Sequence, residues 1–214
     1  MCRVLDVFKE EERKPVARAE NDFYETPFNN TRALIRQIGP ALTPGTTIFE
    51  PCVGDGAIPM LINRYHTGLR WRTNDINPDR RGRDESTVHT IGDARDAATW
   101  PVVDVIVANP PFSDALVMLR HALNHATKIV AFHLRISFWE PTGRPGRPSP
   151  DDRGPFWDQL AAEGRMPSQQ IMLPRRKFDP NKRGSDTVTT MWLVWCQHDL
   201  PLRPFVVWSK GRDE

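Results

Sequence analysis

The stretch that decides the fold reads IFEPCVGDGA and spans residues 48–57. Its apolar start ends at a carboxylate, Glu50, and a tight turn with two glycines, Gly54 and Gly56, follows. Glycine at such a turn lets a ligand approach the backbone more closely than a Cβ atom would allow. The stretch therefore predicts a β-strand that ends in a ligand-binding turn and leads into a helix.

The residues around this turn separate classes of nucleotide-like ligand. Pro59 stands where the third glycine of the dinucleotide fingerprint would lie, which counts against a nicotinamide oxidoreductase, and no P-loop lysine follows the turn. Asp75 comes nineteen residues after Gly56, at the end of the next predicted strand, where a carboxylate can accept both ribose hydroxyls. Asp93 ends the third predicted strand, where it can accept a hydrogen bond from an adenine amino group or cap a helix.

Short apolar runs alternate with longer mixed segments along the chain. This alternation predicts a Rossmann-like, doubly wound and mostly parallel α/β sheet of seven strands. Since no helix signal separates the last two strands, we expect them to form a hairpin in which the final strand is antiparallel. The predicted strands are residues 46–49, 69–73, 88–91, 102–108, 128–134, 170–173 and 191–196.

Three segments have the spacing of helices. Asn30 or Thr31 is placed to cap the first, which Gly39 and Pro40 end. Ser113 is placed to cap the second, with Asp114 in its first turn, and the third covers residues 153–162. The stretch 141–150 holds four prolines and two glycines and predicts a loop. Positions expected to face the core of the first two helices are Leu34, Ile35, Ile38, Leu116, Leu119 and Leu123.

Residues 103–108 form a near-continuous apolar run, which is typical of a buried parallel strand. Asn109-Pro110-Pro111-Phe112 follows at its carboxyl end, the edge where open α/β sheets bind ligands. An amino group conjugated to a ring is a poor nucleophile, because its lone pair is delocalised. Two acceptors, the Asn109 side-chain oxygen and the Pro110 carbonyl, would draw on its hydrogens and free the lone pair, while Phe112 stacks on the ring. These four residues are the predicted catalytic loop, and orientation and electrostatics would supply most of the rate.

The turn, the two acid-terminated strands and this loop together resemble the class I S-adenosylmethionine-dependent methyltransferases. The closest likeness is to the branch that methylates adenine N6 in DNA, whose cofactor loop is similar to the turn at residues 50–56. Upstream, DFYETP at residues 22–27 resembles the segment that closes over the methionine end of the cofactor in these enzymes. The resemblance implies S-adenosylmethionine as the cofactor and no metal. It implies cofactor contacts from Asp22, Phe23, Tyr24, Thr26, Pro27, Glu50, Pro51, Gly54, Asp55, Gly56, Asp75 and Asp93.

The N-P-P-F loop does not by itself identify the substrate, since it also serves enzymes that act on RNA (adenine N6 or guanine N2) and on protein glutamine. Loop 135–150 carries a net charge of +2 and loop 175–189 one of +3, although the whole chain is only +2. Positive charge is thus concentrated where a polyanion would lie, unless both are ordinary solvated loops. PRRKF at residues 174–178 resembles the segment whose aromatic packs against the extruded base in DNA adenine enzymes. The implied substrate contacts are Phe178, Arg175, Arg176, Lys177 and Arg135.

These features predict an adenine-specific DNA methyltransferase that acts on double-stranded DNA with the target base flipped. A second reading is a silent cofactor-binding fold that serves as a nucleic-acid-binding subunit, against which the intact catalytic loop speaks. Arginine makes up 23 of the 29 basic residues, which suits nucleic-acid contacts and equally suits a codon bias. His121, His125 and His133 are assigned no role.

Composition bounds the remaining expectations. No apolar run approaches the ~18 residues that span a bilayer, and the start of the chain is too charged for a secretory signal, so we expect a cytoplasmic monomer or weak dimer. The three cysteines predict neither a disulfide framework nor a zinc pair. With no separate target-recognition domain, the chain resembles compact phage and mobile-element enzymes. The expected organisation is a polar leader at 1–20, a methyltransferase domain at 21–200 with substrate-facing segments 136–169 and 175–189, and a tail at 201–214.

Overall fold

The computed structural model describes residues 25–80, 88–140, 153–174, 189–197, 200 and 202–207. Its helices and strands alternate through most of this length, as the apolar pattern predicts. In chain order they are α1 (Phe28–Ile38), β1 (Thr47–Glu50), α2 (Ala57–Tyr65), β2 (Arg70–Asp75), β3 (Val88–Ile91), β4 (Val103–Ala108), α3 (Ala115–His125), β5 (Ala126–Arg135), α4 (Gly154–Ala162), β6 (Gln169–Met172), β7 (Thr190–Cys196) and β8 (Phe205–Val207).

The strands form one sheet in the order β3-β2-β1-β4-β5-β7-β6-β8. The first five are mutually parallel, and β7 runs antiparallel to both of its neighbours, β5 and β6. The predicted Rossmann-like, mostly parallel sheet with an antiparallel strand is therefore confirmed. All seven predicted strands are present, with bounds that differ by at most two residues.

An eighth strand was not predicted. β8 lies in the segment interpreted as a tail and pairs in parallel with β6. It has only three residues and follows Pro204, so its sequence carries too few positions for a strand period to emerge.

The sheet separates two hydrophobic cores, because successive side chains of a strand point to opposite faces. In β1, Ile48 packs with α1 and α2 on one face, whereas Phe49 packs with α3 and α4 on the other. The leucines and isoleucines predicted to face inward from α1 and α3 are all buried. With both faces covered, ligands are left the carboxyl edge of the parallel strands.

Two predicted helix caps are wrong. Asn30 and Thr31 lie inside the first turn of α1 and are buried, because the helix begins directly after Pro27, whose backbone has φ −60° and ψ 137°. Ser113 does not cap α3, since the turn after the catalytic loop continues through Asp114 and the helix begins at Ala115. The helix predicted at 153–162 is confirmed within one residue.

Other expectations fall on residues that the structure does not describe. The leader at 1–20 and the loop at 141–150 both lie outside the described residues, as does 175–188 of the second basic loop. Among the helices that are described, none is long and apolar enough to cross a membrane.

Candidate active site

A cavity of about 370 Å³ opens at the carboxyl edge of the sheet. It lies where β1, β2 and β4 end and where the segment before α1 crosses that edge. Most of the predicted site residues that the structure describes are in its wall. They are Thr26, Glu50, Pro51, Asp55, Asp75, Asp93, Asn109, Pro110, Pro111 and Phe112.

The glycine turn takes its shape from two left-handed residues. Gly54 and Gly56 have φ values of 52° and 79°, which residues with a Cβ atom adopt only with strain. The Gly54 amide donates a hydrogen bond of 2.8 Å to Asp75 Oδ2, and the Asn77 amide donates one of 2.9 Å to Asp75 Oδ1. The turn after β1 and the acid that ends β2 are thereby joined, with the carboxylate held at the cavity.

Glu50 is the most enclosed acid of the cavity, with 2% of its surface exposed. Its Oε2 atom is buried without a hydrogen-bond partner among the described residues. Burial, and after it the charge of Asp75, raises the pKa of Glu50 well above its usual value. A buried, unpartnered carboxylate of this kind is stabilised by a donor or a cation that enters the cavity.

The charge of the cavity wall favours a cationic ligand. Six carboxylates line it against two guanidinium groups, and each of these is paired with an acid: Arg80 with Asp55 at 3.2 Å and Arg95 with Asp93 at 2.5 Å. A pyrophosphate would find a net acidic wall here, so the structure also speaks against a dinucleotide. The six acids are Glu25, Glu50, Asp55, Asp75, Asp93 and Asp114.

Asp93 has a local partner that the sequence analysis did not consider. Hydrogen bonds from the Arg95 side chain, and then from its backbone amide, lower the pKa of Asp93. The short 3₁₀ turn that follows is capped by Asp96, whose side chain accepts from the Ala98 amide, so Asp93 is not that cap. Asp93 lies in the cavity wall, where any adenine amino group would share it with Arg95.

The predicted catalytic loop lies where β4 delivers it. Asn109 and Phe112 are half-buried, Pro110 is buried, and all four loop residues face the cavity. The Arg135 guanidinium, from the end of β5, stands over the Phe112 ring at 4.4 Å from its centroid. Loop and basic residue therefore meet, as expected if both contact one substrate.

His133 is the neighbour of the loop that sequence analysis missed. Its ring is fully buried in β5, and its Nδ1 atom lies 3.0 Å from Asn109 Oδ1. Burial lowers its pKa to about 3. The signal that would have found it is strand register: Ala108 of β4 pairs with Phe132 of β5, which brings the next residues, Asn109 and His133, side by side.

The structure leaves part of the predicted site undescribed. Asp22, Phe23, Tyr24, Arg175, Arg176, Lys177 and Phe178 all lie outside the described residues. Pro27 precedes α1 as its N-cap, and the two glycines shape the turn. Cavity residues that the sequence analysis did not name as ligands are Glu25, Cys52, Val53, Ala57, Ile58, Ile76, Asn77, Arg80, Ala94, Arg95, Asp114 and Met118.

Solved structures share this architecture. A protein from Pyrococcus horikoshii assigned as an RNA methyltransferase superposes with a TM-score of 0.61 and 13% sequence identity, over 82% of this chain and 87% of that chain. The chain has a class I methyltransferase fold.

Further solved structures with this fold are assigned different activities. Magnesium protoporphyrin IX methyltransferase from Synechocystis PCC 6803, solved with bound S-adenosylmethionine, has a TM-score of 0.54 at 12% identity, over 80% of this chain and 79% of that chain. A modification subunit assigned to a type I restriction enzyme of Vibrio vulnificus YJ016 has a TM-score of 0.56 at 12% identity, over 90% of this chain. This chain spans only 49% of that subunit. At such identities the likeness establishes the fold alone. No protein-family model matches the chain, and no curated protein matches its sequence.

Proposed function

We propose that this protein transfers a methyl group from S-adenosylmethionine to the exocyclic N6 nitrogen of adenine in DNA. The observation that carries the proposal is that Asn109 and Pro110 share one cavity with Glu50 and Asp75. Two acceptors for an amino group and an acidic site for a cationic cofactor thus face the same space. Holding two reactants together in this way is the main source of rate in a direct transfer.

The cofactor half of the cavity fits S-adenosylmethionine by charge. The cofactor carries a positive sulfonium and a positive ammonium group, and the unpartnered Oε2 of Glu50 suits a charged donor. Asp75 already accepts two backbone amides, and each of its oxygens keeps a lone pair for a ribose hydroxyl. When bound, the cofactor supplies an electrophilic methyl group on its sulfur.

The loop half supplies acceptors rather than a base. The Asn109 side-chain oxygen and the Pro110 carbonyl accept the two hydrogens of the target amino group, which makes its lone pair available for attack. His133 lies behind Asn109, fully buried, and its pKa of about 3 makes it too weak a base to take the proton. Rate enhancement therefore comes from preorganised acceptors. Once the methyl group has been transferred, the methylated amino group releases its extra proton to solvent.

A stacking surface with a cation beside it supports a nucleobase as the substrate. Phe112 lines the cavity, and Arg135 stands over its ring. A planar base can stack on Phe112, while the guanidinium is close enough to pair with a neighbouring phosphate. The half-buried position of Asn109 means that a base has to leave the helical stack to reach it, so we propose double-stranded DNA with a flipped adenine.

DNA is favoured over RNA by the sequence, through the resemblance to DNA adenine enzymes and the order of the segments at 22–27 and 109–112. The described part of the site presents features that an RNA base or a glutamine amide would also satisfy. These substrates, and a silent binding subunit, are therefore outcomes of the same experiment.

The test is a transfer assay with purified protein and methyl-labelled S-adenosylmethionine. Double-stranded DNA, single-stranded DNA, total RNA and a protein extract are offered separately, and the modified base is identified after digestion. We expect N6-methyladenine in DNA and little label elsewhere. Label in RNA or protein alone would reject the proposed substrate, and tight cofactor binding without transfer to any acceptor would reject the proposed activity.

A matched pair of variants tests the mechanism. Asn109→Ala removes one of two acceptors, so we expect the transfer rate to fall about 100- to 1,000-fold, while the dissociation constant of the cofactor changes less than about twofold. Asn124→Ala removes an exposed asparagine on α3 and should leave both quantities unchanged. Equal rates in the two variants would contradict the assigned role of Asn109.

A further inference from the structure

We propose that His133 is a positioning residue that fixes the orientation of the Asn109 amide through a buried row of hydrogen bonds from α1 and β7. This role rests on the proposed function for its kinetic consequence, since Asn109 is the acceptor that the transfer depends on. The contacts themselves are independent of what the protein methylates.

The row joins four elements of the fold. His133 Nδ1 lies 3.0 Å from Asn109 Oδ1, at the end of β4. On the other side of the ring, Nε2 lies 3.1 Å from Thr190 Oγ1 of β7 and 3.2 Å from Asn30 Nδ2 of α1. The ring has no exposed surface, and the Trp192 ring packs against it with centroids 5.1 Å apart. Packing therefore fixes the plane of the imidazole.

The partners determine which ring nitrogen carries the proton. In the orientation of the Asn30 amide that the structure gives, its nitrogen donates to Nε2, and its Oδ1 atom is buried without a hydrogen-bond partner among the described residues. With that orientation the proton of the neutral ring is on Nδ1. Asn109 Oδ1 can only accept, so it receives that proton's hydrogen bond. In this tautomer the Thr190 hydroxyl can only donate to Nε2, where it shares the single lone pair with the Asn30 amide as a three-centre hydrogen bond. Both ends of the row thus agree on a polarity that runs from Asn30 through His133 to Asn109.

The consequence for Asn109 is a locked amide. A side-chain carbonyl has two lone pairs, so Asn109 Oδ1 can accept from His133 and also from a hydrogen of the target amino group. Without a donor at Nδ1, the amide could rotate about its last bond and present its own NH₂ group, a donor, to another donor. Burial keeps the ring neutral, so it orients Asn109 without adding charge beside the reacting methyl group.

Two amide variants separate positioning from packing. In His133→Asn, the side-chain nitrogen can occupy the place of Nδ1 and still donate to Asn109. In His133→Gln, the longer side chain carries its amide toward the place of Nε2, near Thr190 and Asn30. Because a misplaced acceptor costs about 100-fold in rate, we expect kcat to fall about 100-fold in His133→Gln and less than about tenfold in His133→Asn.

The readouts are chosen so that a purely structural role would not produce the expected pattern. The dissociation constants for S-adenosylmethionine and DNA should change less than about twofold in either variant. The melting temperatures of the two variants should be similar. The positioning role would be overturned if kcat fell equally in the two variants. It would also be overturned if only KM rose and kcat stayed unchanged.

A second measurement does not depend on activity. Nitrogen-15 NMR of histidine-labelled wild-type protein reports the tautomer of each neutral imidazole. The signals of His133 are assigned as those that disappear in His133→Asn. We expect them to show the proton on Nδ1. A proton on Nε2 would overturn the inference even in an active enzyme. If wild-type protein methylates no acceptor, the proposed function fails, while the tautomer still decides whether the row has the polarity stated here.

Discussion

The two halves of the cavity are built with different interactions. On the side of β1 to β3, acids are held by ion pairs and backbone amides, as in the pairs Arg80–Asp55 and Arg95–Asp93. On the side of β4 and β5, Asn109 is held by a buried row of neutral groups through His133. The first half can attract a cation, whereas the buried row in the second orients an acceptor. The difference suggests that charge binds the cofactor and that neutral hydrogen bonds set the geometry of transfer.

Acidification should break the neutral half first. The pKa of His133 is about 3 in the folded protein and about 6.5 in an unfolded chain, so as pH falls below 6.5 the unfolded state takes up a proton that the folded state refuses. Stability from this group is complete above pH 6.5 and is lost progressively toward pH 3, by an amount on the order of several kcal/mol.

The measurement is urea unfolding between pH 7 and pH 4.5, a window chosen above the range in which Asp104 titrates. Asp104, whose pKa is lowered to about 2 mainly by the Thr47 amide, adds its own acid sensitivity only below about pH 4. His133→Asn removes the titrating ring, so its unfolding free energy should fall less than that of wild type as pH decreases. Glu50, whose raised pKa acts in the opposite sense, is present in both proteins and cancels in the difference. Parallel curves for the two proteins would show that the acid sensitivity has another source.

Removing charge from the other half should affect binding rather than orientation. Glu50→Gln keeps the shape of the side chain and loses its charge, so we expect cofactor binding to weaken about 10- to 100-fold. The ligand-free variant should also unfold at a higher temperature, because burial and Asp75 both oppose the charged form of Glu50.

Calorimetric titration with S-adenosylmethionine and a thermal melt measure both effects on one sample. Asp158→Asn makes the same carboxylate-to-amide change on the exposed face of α4 and should alter neither. If Glu50→Gln binds the cofactor as tightly as wild type, charge is not what holds the ligand in this half.

The charged half could be largely predicted from the sequence, because its residues follow one another closely along the chain. Glu50, Asp55 and the glycines lie in one turn, and Asp75 and Asp93 come two residues after the predicted strands 69–73 and 88–91. The sequence did not predict the ion pairs of this half. The partner of Asp93 is only two residues away in the sequence. Arg80, by contrast, lies in the segment after β2 and pairs with Asp55 in the turn after β1, a contact that depends on how these two loops fold.

In the neutral half the loop at 109–112 was predicted, but the hydrogen bonds behind it could not be, because they join distant parts of the chain. Asn109 and His133 are 24 residues apart, and only the register of β4 against β5 brings them together. Asn30 was interpreted as a helix cap on local grounds, whereas it is buried and bonded across 103 residues to the same ring. Local patterns record which segments form strands and where apolar faces lie. They do not record how far one strand slides along another.

Arg135 gives a sharper test of the loop half, because it is the cation at its rim. Arg135→Ala removes the guanidinium over Phe112, and we expect the KM for DNA to rise about two- to fivefold, since an exposed contact of this type contributes about 0.5–1 kcal/mol. Arg135→Lys keeps the charge but not the planar group, so its KM for DNA should lie between those of wild type and Arg135→Ala. Steady-state kinetics at two salt concentrations separates them, because phosphate contacts weaken as salt rises. An unchanged KM in Arg135→Ala would leave Phe112 without a substrate-binding partner among the described residues.

The smallest expected effect separates the shape of the cofactor half from its charge. Gly56 and Gly45 both have left-handed backbones, with φ values of 79° and 90°, but only Gly56 belongs to the turn at the cavity. Alanine at either position should cost about 1–2 kcal/mol of stability through backbone strain alone, and a Cβ atom at Gly45 meets nothing within 4 Å. The two variants share a left-handed backbone, and cofactor titration compares them once the stability of each has been measured. If only Gly56→Ala binds S-adenosylmethionine more weakly, the turn itself contacts the cofactor. If both variants bind it equally well, the affinity of this half comes from its carboxylates.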